Sequence, residues 1–235
     1  MALILNIESS TEVCSVALGK EGKLVTYREN KEGLNHATLL TVFVEEILAE
    51  QNISINDIDA IAVSEGPGSY TGLRIGVSAA KGLCYAAQKP LIAISPLQAM
   101  ASEAQKHINS EVLDSSTILC PMMDARRMEV YSAQFDLHLN TKKETTAEII
   151  SEESFASELT DHQLYFFGNG AEKCKTIIQH NNAKFIDNIH TSARFMIELS
   201  EQKFQQNNFV DVAYFEPFYL KDFVAIKSTK NILKK

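Results

Sequence analysis

The sequence contains no tryptophan, and its four cysteines, Cys14, Cys84, Cys120 and Cys174, are scattered without a Cys-x-x-Cys pair. That spacing excludes a zinc knuckle or a dithiol redox centre and fits reduced, buried small hydrophobes. None of the six histidines, His36, His107, His138, His162, His180 and His190, stands at His-x-His or His-x-x-x-His spacing, so no metal pair is encoded. There is no Gly-x-Ser-x-Gly elbow for a nucleophilic serine and no Gly-Lys-Ser/Thr phosphate loop. Basic residues are outnumbered, 22 against 30 acidic ones, and the net charge of −8 argues against a stand-alone nucleic-acid binder. No run approaches the ~18 apolar residues of a membrane span, and no basic segment precedes an apolar run as in a signal peptide. The expectation is a soluble, cytoplasmic protein without membrane contact.

What is present is a chain of 235 residues, 45% hydrophobic, enough to bury the cores of two small domains. Short apolar runs at 3–7, 13–18 and 24–28 read as consecutive strands, the last two joined by the hairpin-type turn Gly19-Lys20-Glu21-Gly22. Helical periodicity over 36–51 sets Leu39, Leu40, Phe43, Ile47 and Leu48 on one face. A buried strand at 58–63, a glycine-rich turn, a helix over 71–88 and a strand at 91–94 follow. Ser95 and Pro96 supply an N-cap and a first-turn proline for a helix to about His107. The order βββαβαβα requires crossovers and predicts an α/β fold with parallel members.

The polar stretch 106–116 marks a candidate boundary, after which the pattern restarts. Strands are predicted at 117–123, 129–139, 164–167 and 183–186, and helices at 151–159, 170–180 and 191–206, with a polar connection through Thr141 to Thr145. This divides the chain into a lobe at 1–107, a smaller lobe at 108–216 and a C-terminal segment at 217–235. The last eleven residues carry Lys227, Lys230, Lys234 and Lys235 and no acid. They read as a solvated tail, with a contact to RNA as the alternative.

Four of the ten glycines fall between Gly66 and Gly76. Gly66-Pro67-Gly68 lies between a strand and a helix, where amides and a helix N-terminus could receive an anion. The spacing is not that of a dinucleotide fingerprint, and Pro67 removes one amide, so a tight structural turn is the plainer reading. In the helix that follows, Gly72, Gly76 and Ala80 recur every fourth residue, with Ala79 and Gly82 close by. Such a stripe permits close approach of a helix from another subunit, the reading adopted, or tight packing on the chain's own sheet. Glu8, Ser10 and Thr11, in the polar cluster after the first strand, could hold a magnesium-phosphate group. Asp124-Ala125-Arg126-Arg127 could bind a carboxylate or phosphate, or be an ordinary charged hairpin turn.

Ile4 to Thr11, Gly66 to Gly76, Ala80-Lys81-Gly82-Leu83, Asp124 to Tyr131 and the late Pro217-Phe218-Tyr219-Leu220-Lys221 together closely resemble the bacterial TsaB (YeaZ) family. The match spans nearly the whole chain in order. It implies a two-lobed actin-like, sugar-kinase ATPase (ribonuclease H-like) fold with mixed sheets flanked by helices. It also implies a role in making threonylcarbamoyladenosine beside the anticodon of tRNA. In that system the resemblance makes the paralogous TsaD the transferring enzyme, TsaB its non-catalytic partner and TsaE an ATPase that joins them. Pro96 and Met100 stand where TsaD carries its two histidine metal ligands, and neither can replace an imidazole. Glu8 stands where TsaB proteins commonly carry aspartate. No cofactor is expected on this chain; ATP, magnesium and the catalytic metal would belong to partner subunits, and tRNA would be reached through the complex. The partner surface expected for TsaD, or for a second copy in a homodimer, comprises His36, Leu39, Leu40, Phe43, Gly72, Leu73, Gly76, Ala79, Ala80 and Leu83. Glu8, Ser10, Thr11, Gly66 and Gly68 are candidates for a vestigial nucleotide or phosphate site. The competing reading is a small-molecule kinase or ATPase of the same fold.

Overall fold

The structure, a computed structural model, describes residues 2–33, 35–108 and 116–221. The lysines of the C-terminal tail lie outside the described residues. The first half forms β1 (Leu3–Glu8), β2 (Cys14–Lys20), β3 (Lys23–Asn30), α1 (His36–Glu50), β4 (Ala60–Ser64), α2 (Tyr70–Ala87), β5 (Leu91–Ile94) and α3 (Pro96–Lys106). Its five-stranded sheet runs β3-β2-β1-β4-β5. β1 and β2 pair antiparallel, as do β2 and β3, while β4 and β5 extend the sheet parallel to β1. The near-continuous apolar runs of β1 and β4 are what strands covered on both faces require.

One face of this sheet packs on α1 and α2 through Leu5, Ile7, Ile61, Leu40, Ile47, Val77 and Ala80. Each fully buried Leu or Ile contributes about 1.5–3 kcal/mol relative to exposure.

The second half forms β6 (Thr117–Asp124), β7 (Glu129–Phe135), β8 (Thr141–Ile149), α4 (Ala156–Asp161), β9 (Gln163–Phe167), β10 (Ala183–Ile186) and α5 (Ile197–Gln205). The second sheet runs β10-β9-β6-β7-β8, with β6-β7 and β7-β8 antiparallel and β9 and β10 parallel to β6. This is the topology of the first sheet repeated, strand for strand. Helix α3 joins the two lobes, burying Leu97, Met100 and Ala104 among Leu119, Phe135 and Tyr165 of the second. The fold is a two-lobed, actin-like α/β architecture.

Four expectations need correction. The polar run expected to connect elements at 141–145 is the first half of β8. Its threonines suit a pleated edge strand, and its charges suit the solvated edge, so apolar periodicity does not reveal it. The helix expected at 170–180 reduces to a 3-10 turn at Glu172–Cys174, and α4 starts at Ala156 rather than at 151. The range 108–216 does not lie wholly in the second lobe either. Ala193, Met196, Ile197 and Leu199 pack beneath the first sheet against Ile4, Ala17, Ala62 and Ile92. Beyond α5, Val210 donates to Leu91 O at 2.9 Å, closing the β5 edge. The first sheet's second face is covered from the far end of the chain, a pairing no local pattern encodes.

Candidate functional site

The glycine-rich segment is built against the turn that follows β1. Ser69 caps α2, its Oγ accepting from Gly72 N, and its own amide donates to Ser10 O at 2.6 Å. Behind that cap, α2 lies so close to β1 that a Cβ at Gly72 would stand 2.2 Å from Ser9 O, and one at Gly76 2.1 Å from Ser9 Oγ. Ser9 Oγ in turn donates to Gly72 O at 2.9 Å. Ala80 and Leu73 are fully buried in the same seam, and His36 and Leu40 are buried on α1. These six residues, expected to face a partner, are therefore inside the monomer. The stripe faces inward because only glycine lets the helix backbone touch the Ser9 turn.

Four other residues of that expected surface stand at its rim: Leu39, Phe43, Ala79 and Leu83 are half-buried. Beside them α2 presents a second small face, Ser78, Gly82 and Ala86, all exposed, and a Cβ at Gly82 would meet nothing within 4 Å. Val42 on α1 and Tyr85 on α2 are exposed, Tyr85 at 84%. The C-terminal segment crosses this helix, Lys81 Nζ donating to Ala213 O and Phe215 O at 3.0 Å each.

The five residues suggested for a phosphate do not form one pocket. Glu8 is 1% exposed and accepts from Ser10 N at 2.5 Å. Its burial holds the carboxyl above the ordinary carboxylate range, opposed by hydrogen bonds from the Ser9–Ser10 turn and Ser64. Gly66, at φ +105°, is pressed against the C-terminal segment, where its Cβ would stand 2.6 Å from Phe218 O. At Gly68 a Cβ would lie 2.3 Å from Ser10 O. Ser10, Thr11 and Gly68 do reach a cleft between the lobes, of about 560 Å3; Glu8 is sealed behind them.

The opposite wall of that cleft repeats the construction. Gly168-Asn169-Gly170 follows β9 as Gly66-Pro67-Gly68 follows β4, and Gly168 has φ +102°, with its Cβ position 2.3 Å from Met122 O. Asn169 Oδ1 accepts from Asp124 N at 3.0 Å, and Gly170 N donates to Met122 O. The hairpin held in this way is Asp124-Ala125-Arg126-Arg127, an ordinary turn in its hydrogen bonds, with Ala125 N donating to Glu129 O and Glu129 N to Arg126 O. Its conformation is less ordinary: Arg126 and Arg127 both have positive φ, 71° and 50°. Lys173 locks the turn, donating to Arg127 O and Glu129 O at 2.7 Å and pairing with Asp124.

The C-terminal segment spans the cleft. Phe218 N donates to Glu65 O at 2.7 Å, the Tyr219 ring stacks 5.0 Å from Tyr70, and Lys221 pairs with Glu129 over the Tyr131 ring. Tyr219 and Lys221 were visible in the sequence only as part of the late family motif. Gly168 and Gly170 went unread there, although a second Gly-x-Gly after a strand was a usable signal.

All four thiols are free and buried, and burial raises Cys14 and Cys174 to about 11 and Cys84 to about 12. Among the described residues no group of three or more His, Cys, Asp or Glu could hold a metal ion. Among the described residues no helix is long and apolar enough to cross a membrane. Pro96 and Met100 are both buried on α3.

A family model described as "TsaD: tRNA N6-adenosine threonylcarbamoyltransferase" matches residues 31–228. The chain is 30% identical over 233 residues to the tRNA threonylcarbamoyladenosine biosynthesis protein TsaB of Escherichia coli, covering 95% of this chain and 96% of that one. To the protein of the same name from Haemophilus influenzae it is 29% identical over 233 residues, 95% of each. A solved structure of YeaZ from Pseudomonas aeruginosa superposes with a TM-score of 0.75 at 26% identity, covering 94% of this chain and 100% of that one. With the repeated two-lobe topology, the glycine seam and near full-length similarity in agreement, this chain belongs to the threonylcarbamoyltransferase family and, within it, to the TsaB (YeaZ) branch.

Proposed function

We propose that this chain is a non-catalytic scaffold subunit in the formation of threonylcarbamoyladenosine in tRNA, acting by binding and supporting a TsaD-type paralogue. The observation that carries this reading is the outer face of α1 and α2. There Ser78, Gly82 and Ala86 form a small, open stripe, bordered by half-buried Leu39, Phe43, Ala79 and Leu83. A partner helix can approach such a face closely and gain dispersion contact along its length. The surface is displaced by part of a helical turn from the one first expected, onto the same two helices.

Pro96 and Met100 at the start of α3 support a non-catalytic role. They occupy the positions of the paralogue's metal ligands, and neither side chain supplies a nitrogen or oxygen donor to iron or zinc. ATP, magnesium and the catalytic metal then belong to the TsaD-type and TsaE-type partners. One face serving both the paralogue and a second copy of this chain makes heterodimer and homodimer mutually exclusive.

Size exclusion with light scattering on the chain alone, and mixed with the TsaD-type protein of its organism, tests this. A one-to-one species replacing a homodimer is the expected result, weakened together with the homodimer in Gly82→Leu. Absence of any complex, with and without ATP and the TsaE-type protein, would sink the scaffold reading. Stoichiometric ATP binding and turnover by the isolated chain would favour the kinase or ATPase alternative. Against that alternative stands Glu8, closed off from the cleft by the Ser9–Ser10 turn.

A further inference from the structure

The Asp124–Arg127 hairpin has no part in the partner face and shows an unusual combination of features. Consecutive positions with positive φ suit asparagine and glycine, because a side chain in the left-handed region meets its own backbone. Here both positions are arginine, at φ 71° and 50°. Neither guanidinium has an ion pair or hydrogen bond among the described residues, and both are exposed. The nearby carboxylate of Asp124 is engaged by Lys173 and by Arg126 N, so it is committed elsewhere. A strained turn retained with two unpaired cations at its tip points to a partner that supplies negative charge.

Aromatic groups stand beside it. Arg126 shares the interlobe cleft with Tyr70, Tyr131 and Tyr219, all half-buried. Arg74 lies over the Tyr70 ring at 4.4 Å and Lys221 over Tyr131 at 5.7 Å. Among the described residues Glu12 is the one other acid on the cleft wall besides Asp124. Arginines at a rim with tyrosines beside them form the arrangement that takes unpaired nucleotides, phosphates on the cations and bases on the rings.

We infer that the Arg126–Arg127 turn, with the neighbouring tyrosines, is a direct contact surface for single-stranded RNA, the chemistry of a tRNA loop. This rests on the proposed function, which brings a tRNA to the assembly. It adds that this chain itself touches the RNA, through a surface separate from the α1–α2 face. An overall charge of −8 keeps the contact weak for the chain alone.

The test titrates a labelled anticodon stem-loop into the chain alone at low salt, and in parallel into the chain mixed with its TsaD-type partner. Arg126→Asn combined with Arg127→Gly keeps the turn and removes both charges. The melting temperature and the light-scattering mass of the complex should hold or rise. RNA affinity should fall about tenfold, and the log–log salt slope should shrink by roughly 1.4, two phosphate contacts to a single strand. Tyr219→Leu should lower affinity with the slope unchanged, since stacking carries no counterion release. Affinity and slope untouched by the arginine substitutions would overturn the inference, as would loss of nucleotide binding in place of RNA binding. If the two proteins fail to associate, the scaffold reading falls and the chain-alone titration still decides the RNA contact.

Discussion

The two lobes share one topology and one device, and differ in what the device supports. In each, a central strand leads into a turn, and a Gly-x-Gly segment from the parallel neighbour strand presses its backbone onto that turn. Gly68 lies on Ser10 and Gly170 beside Met123 and Asp124, while Gly66 and Gly168 start the two segments with nearly the same φ, 105° and 102°. In the first lobe the clamp opens into α2, 18 residues long, capped by Ser69 and seated on the Ser9 turn. In the second lobe it opens into a 3-10 turn, Glu172–Cys174, whose Lys173 ties down the arginine hairpin. One backbone solution therefore fixes a long helix on one side of the cleft and a basic turn on the other. The first sheet is covered on both faces, whereas β8 leaves a polar edge with Ile149 74% exposed.

The sharpest way to break this comparison is Gly76→Leu. With Ser9 Oγ 2.1 Å from the Cβ position, the substitution should cost at least about 3 kcal/mol and abolish a cooperative melt, well before any effect on association is read. Gly170→Ala tests the equivalent contact in the second lobe. Its Cβ would stand 2.8 Å from Met123 C and 3.0 Å from Asp124 N, so a loss of about 1–3 kcal/mol and a lower Tm are expected. A neutral result would show that the second clamp yields where the first does not.

Gly82→Leu is the outward counterpart on α2. Thermal stability should be unchanged, while association with a second copy or the paralogue should weaken about tenfold, or about 1.4 kcal/mol, by light scattering or calorimetry.

The smallest effect concerns Glu8. Its folded pKa lies above its unfolded one, so the protonated form favours folding. That contribution is present below the unfolded value, near 4.5, and is lost as pH rises through the folded value. Glu8→Gln should therefore raise Tm at neutral pH and leave it unchanged near pH 4, which a pH series of melting curves checks.

Much of this architecture was legible in the chain. The buried runs of β1 and β4, the serine and proline at the start of α3, and the glycine motif each sit where local chemistry places them. Recognition of the TsaB family came from motifs distributed over both lobes. What was misread has separate physical causes. A stripe of small residues announces a close approach without saying to what, and α2 carries two such faces. One closes on Ser9, 63 positions upstream of Gly72 by the Ser9–Gly72 hydrogen bond, and the other stays open. The β8 run was passed over because an edge strand can be threonine and charge throughout. Of the phosphate candidates only Ser10, Thr11 and Gly68 reach the cleft, and burial of Glu8 is set by how its own turn folds over it.

The sequence by itself determined the α/β class, the order of elements in the first lobe and the family, because those depend on local propensity, periodicity and contiguous motifs. Only the tertiary structure decided which face of α2 is internal and that the chain returns after the second lobe to cover the first sheet. It also decided that two distant Gly-x-Gly turns face each other across one cleft with Arg126 at its rim. Those outcomes depend on which surfaces exclude water together, a relation between segments far apart in the chain that no single segment specifies.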